Sequence, residues 1–154
     1  MSLQSLNENR RDQSQPKLPY SNDALRCDLS RVHEAWRESR RRHDRFSVYL
    51  FLSAVFDLVA VWEKENRATD RAKRALQLKG RKGGDKVEPF AAVINCTSSR
   101  KKVDAKARSK WARALIFAAE YKLPSEPLAH FIRRHGGINL CAAELSRLGR
   151  TPTR

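Results

Sequence analysis

Residues 46–62, FSVYLFLSAVFDLVAVW, are apolar on nearly every side, so whatever this chain folds into must cover them. Lipid is one cover. A membrane-spanning helix needs about 20 such residues, however, and an aspartate at its centre costs about 2.5 to 3.5 kcal/mol on insertion scales. Asp57 stands in the middle of the segment. The rest of the protein is therefore the expected cover, no membrane partner is expected, and Asp57 should sit at the edge of the core against an arginine. Apolar residues recur at positions 46, 49/50, 53/54 and 56/58, which favours a central helix over a strand.

Amphipathic segments on either side supply the cover. Asn22 or Asp23 is suited to cap a helix whose stripe is Leu25, Leu29, Val32 and Trp36. That helix runs into RESRRRHDR, where Arg37, Arg40, Arg41, Arg42 and Arg45 form the densest positive cluster of the chain, and the pattern does not fix where it ends. Thr69 can cap a short basic helix that Gly80 stops. The following GRKGGDK lacks the spacing and the terminal Lys-Ser/Thr of a phosphate-binding loop and follows no strand, so it reads as a flexible connector. Pro89 suits the first turn of a short helix in VEPFAAVINCT. Asp104 caps a long helix. Ser125 is placed to cap another, with Pro127 in its first turn and Gly136 and Gly137 stopping it, and Asn139 opens the last. No hairpin signal or alternating strand pattern occurs. The expected fold is all-α, a compact bundle of about six to seven helices. It occupies residues 23–150 as a single domain (N-terminal helices 23–80, basic helical part 88–150), and the polar tail 1–22 is expected to be disordered.

Charge then points to a partner. Lys and Arg number 32 against 17 Asp and Glu, a formal net charge of +15. Such an excess selects polyanions, with nucleic acid first because each neutralised phosphate releases counterions. On the helix capped by Asp104, at 100° per residue, Ala107, Trp111, Ala114, Leu115, Ala118 and Ala119 share a core arc. Lys106, Lys110 and Arg113 share another, with Phe117 one turn further on, and Arg100, Lys101 and Lys102 lie just ahead. No acid falls between Asp104 and Glu120. Solvated faces usually carry both signs, so this one reads as a surface for phosphates. Arg40, Arg41 and Arg42 offer a second backbone contact.

The segment 125–148, helix, glycine turn, helix, follows that long helix in the order of a helix-turn-helix module. If Cys141, Leu145 and Leu148 point inward, then Asn139, Ala143, Ser146, Arg147 and Arg150 point outward. Asn and Arg read adenine and guanine edges, which makes Asn139, Ser146, Arg147 and Arg150 candidates for base reading.

Other chemistry finds little support. His130, His135 and Cys141 lack zinc-site spacing, and His33 and His43 read as surface histidines beside arginines. No nucleophile elbow, paired-carboxylate pattern or dinucleotide loop is present, so no catalytic residue, metal or cofactor is expected and the chain is not read as an enzyme. Trp36, Trp62 and Trp111 each fall on an apolar stripe, which favours core packing over base stacking. Cys27, Cys96 and Cys141 have no paired spacing and read as reduced, buried thiols in a cytoplasmic protein. The function expected is that of a small cytoplasmic DNA-binding protein, a transcriptional or plasmid- or phage-type regulator. A first alternative is an interaction module that dimerises or docks a partner through 46–62, and a second is RNA binding.

Overall fold

The computed structural model describes residues 19–149. Seven helices and no strand occur among them: α1 Asn22–Arg42, α2 Val48–Lys64, α3 Ala68–Leu78, α4 Pro89–Thr97, α5 Ala105–Tyr121, α6 Leu128–Arg134 and α7 Ile138–Gly149. Residues 1–18 of the expected tail, and Arg150, lie outside the described residues. The expected tail includes Pro19 to Asn22, yet Tyr20 belongs to the fold. Its ring lies 3.9 Å from the Arg71 guanidinium, its hydroxyl donates to Asp28, and Arg74 donates to its carbonyl at 2.8 Å.

The segment 46–62 is largely helical and central. Phe51, Leu52, Val55, Val59 and Trp62 of α2 are buried, and α1, α3, α4, α5 and α6 all touch it. The Phe51 ring meets Trp36 of α1 at 5.1 Å and Trp111 of α5 at 6.0 Å, an aromatic joint between three helices. Phe46, Leu50 and Val61 remain exposed. Asp57 is exposed as well and takes part in no ion pair among the described residues, because it lies on the one polar side of α2 rather than at the core's edge.

The short helix expected around Pro89 is a second central one, a burial that the pattern did not show. Six of the nine residues of α4 are buried: Phe90, Ala92, Val93, Ile94, Cys96 and Thr97. A helix this short holds because its ends are closed. The Glu88 carboxylate accepts the Phe90 and Ala91 N–H groups at 3.0 and 2.6 Å, Pro89 occupies the first turn, and the Thr97 and Ser98 hydroxyls donate back to the Val93 and Ile94 carbonyls.

Several boundaries and burials differ from expectation. Ser21, not Asn22 or Asp23, caps α1, accepting from Ala24 N–H at 3.1 Å. The helix ends where His43 turns left-handed (φ 53°), and Asp44 takes the Phe46 N–H to start the turn into α2. Arg67, not Thr69, precedes α3, leaving Thr69 inside its first turn. Pro127, not Ser125, precedes α6, because a residue before proline avoids helical backbone and so holds Glu126 outside the helix. Glycines 136 and 137, at φ 93° and 107°, reverse the chain. The Gly137 carbonyl accepts the Cys141 N–H, so α7 starts at Ile138 and Asn139 lies within it. Cys27 is exposed on α1, while Cys96 and Cys141 are buried free thiols. His33 is tied through Nδ1 to the Thr97 carbonyl at 2.8 Å rather than standing free. Leu148 is exposed and Ala142 is buried in its stead. No helix among the described residues is long and apolar enough to cross a membrane.

Candidate nucleic-acid interface

Asp104 caps α5 as its sequence implies, accepting the Ala107 N–H at 2.7 Å. The buried side of α5 is wider than the expected arc. Ala112, Ala114, Leu115, Phe117 and Ala118 are buried, Ala107 and Trp111 are half-buried, and Ala119 is exposed. The cause is that α5 packs between α4 on one side and α6 and α7 on the other, with α7 its most extensive neighbour. Phe117, read as the end of the basic stripe, lies against Phe131 of α6 at 5.6 Å and the His135 ring at 5.4 Å.

That packing moves the stripe. Lys106 is exposed, but Lys110 and Arg113 are half-buried and form the α5 wall of a groove whose other wall is α7. Lys110 and Arg113 face Asn139, Ala143, Ser146 and Arg147 across one cleft. Lys106, Lys110 and Trp111 share the adjoining cleft with Gly136, Gly137 and Asn139. A third cleft continues past Trp111 and Asp104 to Lys102, Arg40 and His43. Three adjoining clefts therefore gather Arg40, Lys102, Lys106, Lys110, Arg113, Asn139, Ser146 and Arg147 into one tract running from the end of α1 across α5 to α7.

Within it the candidates differ in how far they are already engaged. Arg113 donates to the Ser146 hydroxyl at 2.9 Å, and that hydroxyl donates to the Ala142 carbonyl at 3.2 Å. Ser146 therefore braces α5 against α7 and has no donor left for a base edge. Arg113 keeps a buried Nε without a partner. Arg147 is held by Glu144 one turn earlier. Lys106, Lys110, Lys102 and Arg40 form no ion pair among the described residues; Arg40 lies over the Trp36 ring at 5.6 Å.

Other candidates fall elsewhere. Arg41 and Arg42 pair with Glu38 at 3.3 and 3.2 Å. Lys101 is exposed in the turn before α5. Arg100 faces a separate cleft beside the connector after α3. No group of residues suited to a metal occurs among those described; His130 instead bonds to Glu126 at 2.9 Å and His135 packs on Phe131 at 4.4 Å.

One cation passed unnoticed in the sequence. Arg108 stands on the same stripe as Ala112 and Leu115, and its Nε and Nη1 are closed to water with no acceptor. An arginine heading a buried stripe was the signal that could have marked it. No family model matches the chain, nor does any curated protein or solved structure at significant similarity.

Proposed function

We propose that this is a small DNA-binding protein of regulatory type, acting in the cytoplasm, that holds duplex phosphates in the tract between α1, α5 and α7. The reading is carried by one observation. Cations far apart in sequence, Arg40, Lys102, Lys106 and Lys110, line adjoining clefts that also hold Asp44 and Asp104, and form no ion pair among the described residues. Unpaired cations on one surface attract a polyanion and release its counterions on binding.

Lys102, Lys106, Lys110 and Arg40 hold the backbone. Base reading falls chiefly to Asn139, which is exposed at the junction of two clefts, with Arg147 available once it leaves Glu144. Specificity from so few base contacts is modest, so affinity rests on phosphates.

Gel-shift titration of random-sequence duplex at several salt concentrations tests this. About six neutralised phosphates give a slope of log K against log salt near −5. No binding at low salt, or a slope near zero, overturns the proposal. Hairpin and single-stranded RNA competitors that displace the duplex at equal concentration would move the assignment to RNA.

A further inference from the structure

Arg81 and Arg100 line one cleft where the connector after α3 passes the turn between α4 and α5, and the charge of Arg108 reaches Arg81 from α5. Arg81 belongs to the connector and donates to the Asn95 carbonyl. Arg100 belongs to the turn after α4, and Arg108 to the first turns of α5. They are close enough that, after burial, the charges of Arg100 and Arg108 further lower the pKa of Arg81. None of the three forms an ion pair among the described residues, and two nitrogens of Arg108 are closed off without an acceptor.

One acid lies close by. Glu88 lines the same cleft, but its two oxygens accept the Phe90 and Ala91 N–H groups of α4. Gathering three guanidinium groups beside a single carboxylate, with which none of them pairs among the described residues, leaves an excess of positive charge, and the acceptor that relieves it is an anion.

The cleft beside them has a matching shape. Arg81, Lys82, Lys86, Asn95 and Arg100 form its polar wall, and Gly83 and Gly84 of the connector its rim. The connector is seated closely there. A Cβ on Gly83 would stand 3.0 Å from Val87 and 3.1 Å from Leu76, so a larger residue there would push those side chains aside by a few tenths of an ångström. The cleft's volume of about 190 Å³ falls below the roughly 300 to 1,000 Å³ of sites that enclose a drug-sized ligand. It suits a single oxyanion head with the remainder of a ligand outside. Guanidinium forks match phosphate oxygens in pairs.

We propose that this cleft binds a phosphoryl group, as inorganic phosphate or as the head of a small phosphomonoester, with Arg81 and Arg100 contacting it and Arg108 adding its charge from α5. The connector dismissed as a phosphate loop on its spacing thus takes part in a phosphate site by a different construction. The site is separate from the tract across α5 and α7, and Arg100 belongs to it rather than to the duplex surface.

The test is the melting temperature of the full chain titrated with inorganic phosphate, and separately with glycerol phosphate, against chloride at matched ionic strength. A saturable rise with either phosphate is expected. Equal rises identify the bare phosphoryl group as what is read, and a larger one with glycerol phosphate identifies an organic phosphate. Arg100→Gln and Arg81→Gln should each weaken that response roughly tenfold, the scale of a lost charge-assisted contact. Arg108→Met should weaken it too, yet melt in chloride no lower than the parent, because it removes a cation without a partner. Arg100 is exposed and bonds to no side chain among the described residues, so its variant keeps the test valid even if Arg81→Gln does not fold. Melting that follows ionic strength alone overturns the proposal, as does an unchanged phosphate response in Arg100→Gln. Loss of duplex binding in Arg100→Gln with no phosphate response in the parent returns Arg100 to the DNA surface and overturns it as well.

Discussion

Helices α1 and α5 are both rich in cations, and they use them in opposite ways. On α1 nearly every arginine has a carboxylate one turn before it. Arg26 pairs with Asp23 at 3.2 Å, Arg31 with Asp28 at 3.5 Å, Arg37 with Glu34 at 3.2 Å, and Arg41 and Arg42 with Glu38. On α5 Lys106, Lys110 and Arg113 have no such neighbour, because the helix carries no acid before Glu120, and Arg108 forms no ion pair among the described residues although Asp104, the helix cap, lies four residues before it. The densest cluster of positive charge is therefore the more neutralised of the two. What leaves cations free for an anionic partner is the absence of acids at i−3 and i−4, not the number of arginines in a window.

The largest effect that can break this comparison is on duplex binding. Lys106→Gln with Lys110→Gln removes two unpaired cations and should lower the magnitude of the salt slope by about 2, weakening binding uniformly across sequences. Arg37→Gln with Arg41→Gln removes the same charge from the paired helix and should change the slope by less than about 1 on the same arithmetic. Equal changes in gel-shift titrations would mean that pairing on α1 does not silence its arginines.

Next in size is a stability effect at the one arginine among the described residues that is both buried and paired. Arg71 is 8% exposed, meets Glu65 at 2.6 Å and carries the Tyr20 ring. Arg71→Met should destabilise the protein by about 2 kcal/mol, less than the roughly 3 to 5 kcal/mol of a fully buried pair because Glu65 stays partly in water. Arg108 is the unpaired counterpart. If Arg71→Met leaves the urea midpoint unchanged, pairing of buried arginines contributes nothing here and the contrast with Arg108 loses its basis.

A smaller effect shows that the C-terminal half also contains paired charge. Arg134 hydrogen-bonds to Glu126 at 2.9 and 3.1 Å, and with help from His130 it holds the Glu126 carboxyl down at about 2. A depressed carboxylate stabilises the fold fully above its unfolded pKa, about 4.3, and that contribution is lost as pH falls toward 2. The melting difference between the parent and Glu126→Gln should be constant above pH 5 and shrink steadily from there to pH 2. A difference that does not vary with pH would show that the Arg134 pair adds nothing to folding.

How much of this was legible in the sequence depends on what each residue answers to. The all-helical fold, the central α2 and the Asp104 cap follow from local rules, apolar period and capping chemistry, and they are present in the chain as expected. The direction of the α5 stripe was not legible, because whether Lys110 and Arg113 look to solvent or across a groove depends on where α7 docks, and that is set by contacts some thirty residues away. The role of Ser146 as a brace was hidden for the same reason. Arg81, Arg100 and Arg108 come from three segments, and no single window contains them all. The pairing on α1, by contrast, needed only the i−3 and i−4 rule and could have been read at once.

The smallest effect sharpens the comparison most directly. Glu38 alone holds both Arg41 and Arg42, and these two arginines lie beside Arg40, the one cation of α1 that lines the tract. Exposed pairs of this kind contribute about 0 to 1 kcal/mol, so Glu38→Gln should hardly move the melting temperature. It does convert two paired cations into unpaired ones. If pairing is what keeps α1 from phosphate, the salt slope of duplex binding should steepen by up to about 2, since each freed arginine can neutralise one more phosphate. An unchanged slope would mean that Arg41 and Arg42 are out of reach of the duplex, leaving Arg40 as the limit of the tract. Geometry rather than pairing would then separate α1 from α5.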